Sequence, residues 1–155
     1  MPGLDGSYAR CFPAIADAVP CARADLTEFA LEAGATGNQL DAIRLATSEA
    51  VTNAVMHAYA DASRGERVVQ VCASVAEDEL WVLVADEGDG LRPGPARSPG
   101  LGLGLVLIAQ LAEDFELASR GGGGTELRMC FKLRPGDTEP DFQPRGSFAA
   151  AVSPA

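Results

Sequence analysis

Between residues 17 and 33 apolar side chains recur at three- and four-residue spacing: Val19, Ala22, Leu26, Phe29 and Ala30 fall on one side of a helical period. Gly34 ends that run. A second helical stretch follows, with Asn38 or Asp41 as its cap and Ile43, Leu45, Ala46, Ala50, Val51, Ala54 and Val55 on its apolar side. It extends to about Tyr59, and the polar run 61–66 closes it. Ahead of both helices, residues 10–15 form a short apolar stretch suited to an edge strand. Beyond them, 68–75 and 80–85 read as strands of an antiparallel hairpin around Glu77, Asp78 and Glu79. Residues 87–100 are rich in Gly and Pro and predict a loop. The apolar stretch 101–111 predicts a third helix, and 115–118 and 125–133 predict two more strands joined by Gly121 to Gly124.

Adjacent hairpins with helices between them imply an α+β two-layer sandwich, helices on one face, rather than a doubly wound parallel sheet. The 155 residues suit one domain. From Pro135 the chain turns polar and Pro-rich, so we expect a folded domain over 1–134 and a disordered tail over 135–155.

Composition narrows the function classes. A 47% hydrophobic content excludes a wholly disordered chain, yet no apolar run reaches the roughly 20 residues of a membrane span. The N-terminus has no basic segment followed by an apolar run, so no secretory signal is read and a cytoplasmic address is expected, without membrane attachment. The net charge of −10, with scattered arginines and Lys132 as the single lysine, disfavours nucleic acid as a partner and points to proteins with basic patches. Cys11, Cys21, Cys72 and Cys130 form no C-x-x-C pair, and the single histidine, His57, supplies no zinc-site spacing. They read as small buried hydrophobes in a reducing compartment.

The candidate chemistry starts on the second helix. Glu49, Asn53 and His57 stand four residues apart and form a polar ridge beside the apolar one. Taken alone, such a row is the ordinary solvated side of an amphipathic helix. After the strand 80–85 comes Asp86-Glu87-Gly88-Asp89-Gly90, a carboxylate at a strand end with glycines that let a ligand approach the backbone. Next, Gly100-Leu101-Gly102-Leu103-Gly104 leads into an apolar helix, where exposed backbone N–H groups suit phosphate. A P-loop motif is absent, and the glycine run lacks the third glycine and the preceding strand of a dinucleotide fingerprint.

The order of these pieces is more specific than any one of them. E-x-x-x-N-x-x-x-H on a helix, a strand ending in D-x-G-x-G, a glycine lid, and Gly-Gly-Thr before a strand resemble the GHKL superfamily of ATP-binding proteins. The resemblance covers about residues 10–133. Within it, Ser48-Glu49-Ala50-Val51-Thr52-Asn53-Ala54-Val55-Met56-His57-Ala58-Tyr59 and Gly102-Leu103-Gly104-Leu105-Val106-Leu107-Ile108 are similar to stand-alone bacterial anti-sigma-factor kinases. The resemblance implies the Bergerat fold, with a mixed, mainly antiparallel sheet, and binding of ATP and Mg²⁺. It gives Asn53 the part of magnesium ligand, Glu49 that of general base, and Asp86 that of acceptor for the adenine amino group. Gly88 and Gly90 would permit approach to base and sugar. Gly100, Gly102 and Gly104 would form the lid around the phosphates, and Thr125 would be a last adenine contact. His57 is expected to be structural, since it lies about 12 Å along the helix from Glu49. The segment 91–99 does not align with the family pattern, and Arg92 or Arg97 in it is read first as part of a solvated loop.

No histidine-bearing helix pair precedes the ATP-binding segment, so a module acting on a separate protein is expected. The resemblance implies a protein serine/threonine kinase whose partners are a sigma factor and an anti-sigma-factor antagonist, and it leaves a homodimer open. The alternative is an ATP-binding regulatory module that sequesters a partner without phosphoryl transfer.

Overall fold

The computed structural model describes residues 6–57, 67–88 and 101–133. In chain order the elements are β1 (Ser7–Pro13), α1 (Ala18–Glu32), α2 (Gly37–His57), β2 (Val68–Ala76), β3 (Glu79–Asp86), α3 (Leu101–Leu111), β4 (Asp114–Ser119) and β5 (Thr125–Lys132). The strands form one five-stranded sheet in the order β1-β2-β3-β5-β4, and every pairing is antiparallel. Helices cover one face, as the order of elements predicts. None of the described helices is long and apolar enough to cross a membrane.

Period-two alternation in the central strands builds the core. Val69, Val71 and Ala73, then Leu80, Val82 and Val84, then Leu127, Met129 and Phe131 are all buried on one face. Against them lie Ala22, Leu26, Phe29 and Ala30 of α1, Ile43, Ala46, Ala50, Val51 and Ala54 of α2, and Ile108 of α3. Each fully buried Leu, Ile or Val contributes about 1.5–3 kcal/mol relative to exposure. The many alanines on α2 let its backbone settle closely on the sheet, which fixes where its polar side stands.

Chain signals end the helices at defined places. Gly34, at φ +94°, closes α1, and the Ala35 N–H reaches back to the Ala30 carbonyl at 2.8 Å. At the start of α2 the structure corrects the expected cap. Thr36, rather than Asn38 or Asp41, precedes the helix, and the Gln39 side chain accepts from the Thr36 N–H at 3.3 Å. The Thr-x-x-Gln pattern supplies the returning half of a capping box, in which Gln39 satisfies the N–H of the residue just outside the helix.

Two further expectations need correction. The first strand begins at Ser7 rather than residue 10, because Tyr8 and Arg10 are fastened to α1. The Tyr8 hydroxyl donates to Asp25 at 2.9 Å and the Arg10 guanidinium to the same oxygen at 2.6 Å. Burial, together with Asp25, raises the Tyr8 pKa. The cysteines, expected to be buried, are mostly not: Cys11 and Cys21 are exposed, Cys72 is half-buried and only Cys130 is buried. Cys11 and Cys72 alternate onto the sheet face that carries no helix, and Cys21 lies on the outer side of α1. The expected tail, 135–155, lies outside the described residues.

Candidate functional site

Asp86 is the last residue of β3 and follows Leu80, Val82 and Val84 onto the helix-covered face, where it is only 5% exposed. Its Oδ1 accepts the backbone N–H of Gly88 at 2.9 Å and that of Thr125 at 3.2 Å. Its Oδ2 accepts no hydrogen bond among the described residues. Burial pushes the carboxyl pKa up, and the two backbone N–H groups and the Arg120 charge oppose that rise. The result is a buried carboxylate with one oxygen anchored by the fold and the other unclaimed.

The anchoring depends on a close backbone approach. The β4–β5 turn is closed by the Arg120 N–H on the Gly124 carbonyl at 3.0 Å and the Gly123 N–H on the Arg120 carbonyl at 3.1 Å. Gly124 sits at φ +95°, and a Cβ there would collide with the Asp86 carbonyl, lying 2.8 Å from its carbon and 2.9 Å from Glu87 Cα. Only glycine fits. Sequence reasoning took Gly121 to Gly124 as a strand connection and placed no contact on Gly124. The signal was its position immediately before Thr125.

A second cluster forms where α3 crosses α2. A Cβ on Gly104 would lie 3.0 Å from Glu49 Oε2, 3.3 Å from Asn53 Nδ2 and 3.4 Å from Asn53 Oδ1. The carboxylate and the amide therefore converge on one point, under a helix turn where an added methyl group would crowd both. Asn53 Nδ2 is buried without a hydrogen-bond partner among the described residues. Leaving such a donor unsatisfied is unfavourable by about 1–3 kcal/mol, so this amide is built to meet something other than protein. The orphan atom is a donor and suits a phosphate oxygen of the expected nucleotide, while the Oδ1 of the same amide is the kind of neutral oxygen that would suit a hard, largely hydrated cation.

The sequence-predicted residues thus divide into two groups. Asp86, Gly88 and Thr125 are brought into direct contact, and Glu49, Asn53 and Gly104 into another. Gly102 is exposed with open space around it and touches neither. Gly90 and Gly100, together with Arg92 and Arg97, lie outside the described residues. His57 is the last residue of α2, and its side chain is also outside them.

A one-faced antiparallel sandwich with a buried carboxylate at a strand end and a Glu–Asn ridge beneath a glycine-started helix defines an ATP-binding module. The histidine kinase-like ATPase domain model matches residues 12–131, and the chain belongs to that family, within the GHKL group. A serine-protein kinase RsbW of Bacillus subtilis is 43% identical over 125 residues, spanning 71% of this chain and 76% of the relative. An anti-sigma F factor of Clostridium acetobutylicum is 32% identical over 125 residues, spanning 72% of this chain and 83% of the relative. Among solved structures, the RsbU and RsbW domains of a Mycobacterium tuberculosis protein superpose with a TM-score of 0.63 at 27% identity. That match covers 81% of this chain and 31% of the other. The protein is a GHKL ATPase related to anti-sigma factors and RsbW kinases.

Proposed function

We propose that the chain binds Mg-ATP and transfers the γ-phosphoryl group to a serine or threonine hydroxyl of a partner protein. The observation that carries this reading is the convergence of the Glu49 carboxylate and the Asn53 amide beneath Gly104. A module that only bound nucleotide would need the amide but not a base beside it. In this reading Asp86 Oδ2 accepts a hydrogen bond from the adenine amino group, Oδ1 being held by Gly88 and Thr125. Gly88 and Gly90 let base and sugar approach, and Gly100, Gly102 and Gly104 border the phosphates. Asn53 holds the magnesium ion, which supplies charge neutralisation at the phosphates.

Glu49 takes the proton of the incoming hydroxyl. The hydroxyl oxygen bonds to the γ-phosphorus, the bond from that phosphorus to the β–γ bridging oxygen breaks, and ADP leaves with that electron pair. Positioning by the fold supplies most of the remaining acceleration. The name of the anti-sigma F factor supports a sigma factor as one protein partner; an anti-sigma-factor antagonist as the phosphorylated partner, and a cytoplasmic setting, complete this reading. We assign this activity to residues 1–134.

Single-turnover transfer from labelled Mg-ATP to a confirmed protein partner tests the proposal. Glu49→Gln keeps size and reach but removes the base, so it should bind Mg-ATP nearly as wild type does. Its transfer should be about 10²–10⁴-fold slower. A mutant that keeps pace removes Glu49 as base. A wild-type chain that binds partners in an ATP-dependent way but never phosphorylates them leaves the sequestering module as the correct reading.

A further inference from the structure

Helix α3 spans eleven residues without a charged side chain, and Gln110 is its single polar one. A helix that is apolar all round is normally buried. Only one side of α3 is: Gly104 presses on Glu49 and Asn53, and Ile108 enters the core. Leu103 and Val106, three residues apart on the outer side, stand 74% and 55% exposed. On α2, Leu45, Glu49 and Met56 share one side of the helical period, and both Leu45 and Met56 are exposed. Gly104 brings the two helices together at Glu49, so Leu103, the residue before it, stands next to that row. Four exposed apolar side chains on two touching helices thus flank a half-buried carboxylate. Elsewhere the helix layer is charged outside: Arg23, Glu28 and Glu32 of α1 and Asp41 and Arg44 near the start of α2 are all exposed. Single apolar residues on a surface are ordinary, but a cluster of this kind marks a contact.

We propose that this uncharged collar seats the acceptor segment of the protein substrate, and that it selects a serine or threonine with an apolar side chain close by. This rests on the reading of Glu49 as general base. A hydroxyl that gives its proton to Glu49 must come within about 3 Å of the carboxylate. The chain that carries it must then cross the outer surface of α2 and α3, since the sheet and core close the inner side of both helices. Residues one or two places from the acceptor, at up to about 3.5 Å each, fall over Leu45, Met56, Leu103 and Val106. A charged residue there would lose water and find no partner among the four. An apolar residue would remove water from both surfaces at once. The neighbours of the acceptor are therefore chosen by the absence of charge around Glu49. A second copy of this chain would bring a net charge of −10 against an equal charge, so a separate protein is the fitting occupant.

The test uses the full chain, labelled Mg-ATP and a synthetic peptide library with one fixed serine and varied residues at the neighbouring positions. Wild type, Leu103→Gln, Val106→Gln and Met56→Gln are compared, with Glu49→Gln as the blank. Glutamine suits a helix, so the melting temperature and the Mg-ATP affinity by calorimetry should match wild type in all three collar variants. We expect wild type to favour Leu, Ile, Met, Val or Phe beside the serine about ten-fold over Asp, Lys or Gly, the scale of burying part of one such side chain. Each collar variant should flatten that preference through a raised KM at nearly unchanged kcat, which marks lost binding rather than lost chemistry. Transfer with no apolar preference, or a preference that survives all three substitutions, overturns the proposal and leaves Glu49 as base. A loss of Mg-ATP affinity in the collar variants also overturns it, by assigning the collar to the nucleotide. So does a wild type that phosphorylates no peptide, because recognition would then lie outside the acceptor segment. Glu49 is judged separately, by the single-turnover transfer to a whole partner protein.

Discussion

Replacing Gly124 by alanine adds a single methyl group, and the structure allows its effect to be worked out in parts. The residue sits at φ +95°, which an L side chain occupies at a penalty of about 1–2 kcal/mol. The new Cβ would also stand 2.8 Å from the Asp86 carbonyl carbon and 2.9 Å from Glu87 Cα. Both are backbone atoms, so no flexible side chain can swing aside, and the turn must retreat from the end of β3. Retreat pulls the Thr125 N–H away from Asp86 Oδ1, a charge-assisted bond now 3.2 Å long and worth about 1.5–3 kcal/mol. Together the two effects predict a loss of about 2.5–5 kcal/mol, a large part of the stability of an ordinary domain. For a chain of this size the midpoint of thermal unfolding should fall by about 5–20 °C. The same retreat should weaken ATP binding at least ten-fold, since the carboxylate loses one of its two anchors. Gly122→Ala is the control: a Cβ there meets nothing, and its backbone lies outside the left-handed region. It should be neutral or stabilising by about 0.4–1 kcal/mol. The reasoning is refuted if Gly124→Ala unfolds within a degree or two of Gly122→Ala and binds ATP equally well.

Asp86→Asn should lower ATP affinity about ten- to a hundred-fold by calorimetry, through loss of a charge-assisted acceptor; wild-type affinity would remove Asp86 as the base reader. Asn53→Ala should weaken Mg-ATP far more than metal-free ATP, and equal losses would make Asn53 part of the helix surface. Gly104→Ala places a methyl 3.0 Å from Glu49 Oε2. That oxygen is the mobile end of a side chain, so the fold should survive with an unchanged melting temperature while phosphoryl transfer slows; unimpaired transfer would separate Glu49 from the reaction. Thiol titration at pH 8 should find Cys11 and Cys21 fast and Cys130 slowest, because burial pushes the Cys130 pKa up to about 11 and leaves little thiolate. Its reaction should accelerate tenfold per pH unit up to that value, and early modification of Cys130 would contradict its burial.

What could be read from the chain beforehand follows a physical dividing line. Features set by local pattern were legible: the period of α1 and its glycine stop, α3 over Leu101–Leu111, and Asp86 at the end of a strand. Features set by what packs across the fold were not. Tyr8 and Arg10 look too polar for a strand face turned towards a helix, and they make sense only once Asp25 is seen opposite them. The cysteines carry no mark of which sheet face they will occupy, because one strand's alternation does not say which face the helices cover. At the site, residue identities were legible from the order of motifs. The pressing of Gly104 onto Glu49 and of Gly124 onto Asp86 joins segments 55 and 38 residues apart along the chain, and no local signal records it.

The strand order carries a consequence for how the molecule is made. Strand β5, the last of the described strands to leave the ribosome, inserts between β3 and β4 rather than adding at the rim. Until it arrives, β3 offers an open row of backbone donors and acceptors along its length, and β4 has no partner in the sheet at all. The nascent chain therefore holds a hydrophobic half-sheet, Val69 to Val84, in a sticky state while the 38 residues between Asp86 and Thr125 are made, when wrong pairing with another chain is easiest. Folding should finish in one late step that seats β5, closes the core over Met129 and Phe131, and completes the Asp86–Thr125 contact together. Stalled chains ending before Thr125 should accordingly be chaperone-bound and unable to retain ATP, whereas chains extended past Leu133 should release and bind it.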